Sequence, residues 1–189
     1  MATKRQTPKI KIDFCDDGAS SGNTEVKKSP EKMCVNKLKL KYKSERHRSY
    51  SCALREAVMT NKPDEIPRIV QEEGIEVSEM SKSGVPLIHE AAFEGRLECV
   101  RALLECGAKI NTVDSEDWTA LHAAVLGGHV ELVRLLIHKG ADLYAEAIDK
   151  YIPFHIAIEK RDEDMIALLV EEMAQFAAFK GKELYKEEL

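Results

Sequence analysis

Asp117-Trp-Thr-Ala-Leu-His122-Ala-Ala124 is the stretch that decides the fold, because two other segments align with it without gaps. They are Gly84-Val-Pro-Leu-Ile-His89-Glu-Ala91 upstream and Lys150-Tyr-Ile-Pro-Phe-His155-Ile-Ala157 downstream. Successive histidines are 33 residues apart. The pairs Gly107-Ala108 and Gly140-Ala141 keep the same period, and Gly74-Ile75 stands a further 33 residues upstream. Several independent residue classes sharing one period are the mark of a stacked repeat, in which each unit buries its apolar face on its neighbours.

Each unit reads as two short helices. The first opens at the Leu/Ile-His step, over Ile88 to Phe93, Leu121 to Leu126 and Phe154 to Glu159. A tight break follows at Glu94-Gly95-Arg96, Gly127-Gly128-His129 and Lys160-Arg161-Asp162. The second helix shows apolar residues at helical spacing, as in Leu97, Val100, Leu103 and Leu104. Gly107 and Gly140 stand just past it, where a left-handed residue stops the chain. The polar stretches after them suit projecting hairpins.

On these residues the chain resembles the ankyrin-repeat family, with Thr119-Ala-Leu-His122 standing where the family has Thr-Pro-Leu-His. The resemblance implies an all-α solenoid of helix-turn-helix units with hairpin fingers. It places a degenerate N-terminal cap at 52–80 and repeats at 81–113, 114–146 and 147–179, followed by a charged end at 180–189. In the cap, Ala57 to Gly74 spans 17 residues against 16 for Ala91 to Gly107, and polar Arg55 and Glu56 suit an outward, wet face. The chain departs from the family at Ile152, which removes the hydroxyl that usually binds the repeat histidine. It departs again at Asp117 and Lys150, which replace the finger glycine.

The charge is unevenly divided. Residues 1–50 carry 13 Lys/Arg against 6 Asp/Glu, a net +7, while the remainder carries 15 against 27, a net −12, within a chain total of −5. A basic arm on an acidic body suits a tail with its own partner, and an acidic solenoid disfavours nucleic acid as a ligand. Residues 1–51 are Lys/Ser-rich and poor in large apolar residues, the composition of a disordered arm. Cys15, Cys34, Cys52, Cys99 and Cys106 are an odd number without a C-x-x-C pair, which suits a reducing compartment. With no long apolar run and no signal-peptide pattern, the expected location is the cytoplasm, the nucleus or both, with no membrane span.

Catalysis has no foothold in this pattern, and no cofactor or metal is expected. One histidine per repeat cannot gather on a single ion, so His89, His122 and His155 are read as bonding within their own turns. A solenoid of this class instead offers its fingers and first helices as a concave face. The register puts Val85, Phe93, Trp118, Leu126 and Tyr151 at outward positions of that face, an apolar stripe suited to gripping a protein. That reading predicts that Trp118→Ala with Tyr151→Ala weakens binding and leaves the domain folded.

The arm holds Lys9-Ile-Lys11-Ile12-Asp-Phe14, followed by Asp16-Asp17-Gly18-Ala19. This is similar to the basic-Val/Ile-x-Phe motif through which regulatory subunits dock on the catalytic subunit of protein phosphatase 1. It also resembles the first segment of the myosin-phosphatase targeting subunits, which carry ankyrin repeats too. The resemblance implies docking by strand addition, with Ile12 and Phe14 filling two pockets and Lys9 and Lys11 facing an acidic rim. In those subunits the motif abuts the first repeat, whereas here about 40 residues intervene. The sequence therefore points to a monomeric, non-enzymatic adaptor that holds the phosphatase catalytic subunit with its arm and a second protein on its concave face. The alternative is a generic ankyrin scaffold or inhibitor for an unrelated signalling or transcription partner.

Overall fold

The computed structural model describes residues 52–77 and 85–184, the last six by backbone alone. The docking motif and the rest of the basic arm lie outside the described residues. Among the described residues eight helices run in order: α1 (Cys52–Met59), α2 (Glu65–Glu73), α3 (Leu87–Phe93), α4 (Leu97–Glu105), α5 (Ala120–Gly127), α6 (Val130–His138), α7 (Pro153–Lys160) and α8 (Glu163–Leu184). They form helix pairs in which α5 packs between α3 and α7, and each inner helix packs on the outer helix that follows it.

Local chemistry starts and stops these helices. Thr119, extended at φ −102°, caps α5 through its side chain, and Pro153 supplies the first residue of α7, where its missing N–H costs nothing. The inner helices begin one residue earlier than their apolar pattern suggests, at Leu87, Ala120 and Pro153. Every residue from Ala120 to Leu126 is buried, because α5 has neighbours on both sides and its small Ala residues let them approach closely. The outer helices α4 and α6 each end before a left-handed glycine, Gly107 at φ 95° and Gly140 at φ 92°.

The fingers are tight hairpins. In the first fully described one, Val113 and Thr119 form an antiparallel bridge, and the Asp114 N–H donates to the Trp118 carbonyl at 2.9 Å. The buried Asp114 carboxylate accepts from the backbone N–H of Glu116 (2.8 Å) and of Trp118 (3.0 Å). The next finger closes through the Ala147 N–H to the Tyr151 carbonyl, and it is tied to the previous one by the Ile148 N–H to the Glu116 carbonyl, at 3.2 Å.

The N-terminal helix pair differs from the reading of its sequence at one residue. Glu56 is exposed, as a cap requires, but Arg55 turns toward the stack and pairs with the buried Glu90 carboxylate at 2.8 Å. A carboxylate only 6% exposed needs a cation within reach, and α1 provides it.

Asp117 and Lys150 do occupy the left-handed region, at φ 60° and 62°, where a side chain is strained. Asp117→Gly should therefore stabilise the domain by roughly 0.5–1 kcal/mol, the relief of strain exceeding the added chain entropy. Lys150→Gly should raise the urea midpoint and the β-branched Lys150→Val should lower it. Equilibrium urea unfolding of the three variants checks the set.

Candidate protein-interaction surface

The units are tied by bonds running both ways along the stack. In the forward direction, His122 Nε2 lies 3.2 Å from the Tyr151 carbonyl, while His89 Nε2 lies 2.8 Å from the Thr112 carbonyl at the end of its own unit. His122 Nδ1 accepts from the Thr119 N–H at 3.1 Å and meets the Thr119 hydroxyl at 2.9 Å. An Nδ1 that accepts leaves the proton on Nε2, so the neutral ring donates to the next finger. His122 thus does more than close its own turn. His155 keeps only the local half of the pattern, with the Ile152 N–H donating to its Nδ1 at 3.2 Å. Isoleucine has no hydroxyl to add.

In the backward direction, His129 Nε2 lies 2.9 Å from the Phe93 carbonyl, and the Lys160 ammonium donates to the carbonyls of Val125 and Leu126 at 3.1 and 2.9 Å. Both contacts satisfy carbonyls at the C-terminal end of the preceding inner helix, where a cation also complements the helix dipole. The His129 ring sits so close to Gly95 and Gly127 that a Cβ on either would fall 2.5 Å from it. On the finger side, Asn111 bridges to the following loop, donating to the Gly140 carbonyl and accepting from the Asp142 N–H at 3.0 Å.

These bonds decide the fate of the apolar stripe. Val85, Trp118 and Leu126 are only 1–2% exposed, so the expectation that they face outward is corrected. Trp118 folds back on its own unit, its ring 5.1 Å from that of His122, and is buried. Leu126 closes the end of α5 beneath the Lys160 contact. Phe93 and Tyr151 are half-buried against the core. The Tyr151 ring meets His155 edge-on at 5.6 Å, and its hydroxyl donates to Glu159 at 2.9 Å. Tyr151 retains some exposure because no unit follows its own among the described residues.

What the fingers present instead is mostly polar. Ser115 and Asp117 are exposed on one finger tip, and Asp149 and Lys150 on the next. Beside them Ile148 is 62% exposed, the most of any large hydrophobic residue among the described residues. The 33-residue register already puts Ile148 at an outward finger position, aligned with polar Ser115.

Cys99 is fully buried and Cys106 partly so, and burial pushes both thiols up, which fits packing roles. Among the described residues no group of His, Cys, Asp and Glu is placed to hold a metal ion, and no helix is long and apolar enough to cross a membrane.

The family model for ankyrin repeats (three copies) matches residues 54–147 and 88–180, together well over half the chain. The chain belongs to the ankyrin-repeat family, a class of protein-interaction scaffolds. No curated protein matches it.

Burial pushes the His122 imidazole down to about 4, against smaller upward effects from its bonds to the Tyr151 and Ala145 backbone and from the charges of Asp114 and Asp142. A folded pKa below the unfolded value of about 6.5 means the unfolded chain binds the extra proton. The stability tied to this ring is complete above pH ~6.5 and is lost as pH falls toward 4, by roughly 3 kcal/mol in all. Urea unfolding from pH 7 to 5 should show a steeper loss in the wild type than in His122→Gln. Trp118→Ala should cost about 3–5 kcal/mol of stability by leaving a cavity, measured in the same way, and will not act as a clean binding variant.

Proposed function

We propose that this chain is a regulatory or targeting subunit of protein phosphatase 1, working as an adaptor in the cytoplasm or nucleus. The observation that carries the reading is Lys11-Ile12-Asp13-Phe14 in a basic arm, followed by Asp16-Asp17-Gly18-Ala19, on a chain whose body is an ankyrin solenoid. Ile12 and Phe14 would fill two pockets of the catalytic subunit while the extended backbone joins a sheet edge, and Lys9 and Lys11 would meet acidic groups. The solenoid would hold the second protein, the one to be placed beside the phosphatase. Tethering both on one chain raises their effective concentration without a new contact between them.

For the second protein, the burial of Val85, Trp118 and Leu126 moves the grip toward the finger tips. Ile148 is exposed on a finger tip next to Asp149 in the chain, and its N–H bonds to the Glu116 carbonyl of the preceding finger. That combination suits a partner segment with an aliphatic or aromatic anchor and basic neighbours.

Two variants of the full chain separate the two contacts. Ile12→Ala/Phe14→Ala should abolish recovery of the phosphatase catalytic subunit from lysate, while Ile148→Asp should leave it unchanged. Both should keep the wild-type urea midpoint. If the wild type recovers no catalytic subunit, the phosphatase reading fails and a scaffold for another partner remains.

A further inference from the structure

Two runs of the N-terminal arm alternate a basic with a large apolar residue. Lys9-Ile-Lys-Ile-Asp-Phe14 is accounted for by phosphatase docking, and Lys37-Leu-Lys-Leu-Lys-Tyr-Lys43 is not. Side chains alternate across an extended chain, so a run of this pattern, laid out straight, has Leu38, Leu40 and Tyr42 on one edge and four lysines on the other. From Lys37 to Arg48 the sequence holds six Lys/Arg against the single Glu45. An apolar anchor with basic neighbours is the partner chemistry that the finger tips fit. The same chain carries it.

Two consecutive fingers make the receiving surface. Residues 112–119 and 145–152 hold five carboxylates and one ammonium, and that ammonium, on Lys150, pairs with Glu146 at 2.7 Å. Exposed residues alternate with a buried one on each finger: Val113 and Ser115 flank Asp114, and Glu146 and Ile148 flank Ala147. Val113, 36% exposed, and Ile148 therefore lie on the sides of their fingers turned away from the core. The Ile148 N–H, bonded to the Glu116 carbonyl, holds the two fingers side by side. The outer helices α2 and α4 are acidic too, but neither exposes a large apolar residue to receive the leucines.

The arm starts from the right place. Asn61, just past α1, lies 3.6 Å from Cys99 near the start of α4, so α1 runs in the same sense as α3. Fingers lead into the N-terminal ends of the inner helices, and the arm joins α1 at that same end. Cys52 is nine positions after Lys43, a reach of up to ~30 Å. Packed helices step by roughly 8–10 Å, which puts the finger before α5 two steps from α1 and the finger before α7 three. Leu38 to Tyr42 extends about 13 Å, longer than one step, so one run can cross both fingers.

We propose, on the reading that the finger tips are the solenoid's grip, that Lys37–Lys43 lies across these two fingers in cis and competes with the second protein for them. Leu38, Leu40 and Tyr42 meet Val113 and Ile148. The lysines, whose long stems reach past the apolar contact, meet Glu116, Asp117 and Asp149. A tether this short holds the run at an effective concentration on the order of 1 mM, so a contact with a Kd of about 100 µM is roughly nine-tenths closed. Only a partner that outbids the run gains the fingers.

The test adds a fluorescent peptide of residues 36–48 to the full-length chain and reads its anisotropy. Leu38→Ser/Leu40→Ser/Tyr42→Ser in the full chain should bind the peptide about tenfold more tightly than the wild type, whose own run occupies the site. Ile148→Lys added to that triple variant should remove the binding, and both variants should keep the wild-type urea midpoint. No binding by the triple variant overturns the cis contact and leaves the finger tips to a second protein. Equal affinity for wild type and triple variant overturns it as well. Binding that ignores Ile148→Lys removes the finger tips from both readings. Self-association of the wild type that the triple variant loses would put the run on a second copy, which also overturns the cis contact.

Discussion

A neutral imidazole donating to a carbonyl of the next unit is the contact on which the stack depends. A single helix pair of this size has one apolar face too many, and it gains stability only when a neighbour covers that face. Burial of apolar area supplies the drive but no register, because it is non-directional. His122 supplies the register: its ring is held at its own helix start and reaches the Tyr151 carbonyl on the following finger, while His89 reaches the Thr112 carbonyl at the end of its own unit. His129 and Lys160 answer from the other direction, capping the preceding inner helix. A slip of one unit against the next would leave buried donors and carbonyls unpaired at several points at once.

The same constraint explains why the inner face has so little free apolar surface. A large side chain beside the repeat histidine can lie across that ring or project into the concave space. Trp118 lies against the ring and is buried. Tyr151 lies against His155, with its hydroxyl tied to Glu159, but has no following unit to seal it. Recognition is thereby pushed outward to the finger tips, where acidic residues surround one exposed isoleucine. Partners with basic flanks and an apolar anchor follow from that arrangement.

The two ends of the stack answer the problem of an uncovered face differently. At the N-terminal end α1 presents exposed Glu56 to water, while Arg55 turns inward to neutralise a buried carboxylate. At the C-terminal end the breaking glycine is replaced by Met173 and the helix continues, leaving apolar residues in the open. One end is closed by polarity and ion pairing, and the other keeps the character of an interior surface.

The 33-residue period and the glycines after each outer helix were enough to establish the architecture from sequence, because helix breaks and apolar spacing are local properties of the chain. The loss of a hydroxyl at Ile152 and the strained backbone at Asp117 and Lys150 were legible for the same reason. Exposure was not. Val85, Trp118 and Leu126 occupy register positions read as outward-facing, yet in the folded stack they are buried. Arg55 likewise reads as a wet residue until Glu90, 35 positions away, is brought beside it. Sequence determined what each unit is; the stacking of units decided which side chains water can still reach, since burial is a property of pairs of units and of no single one.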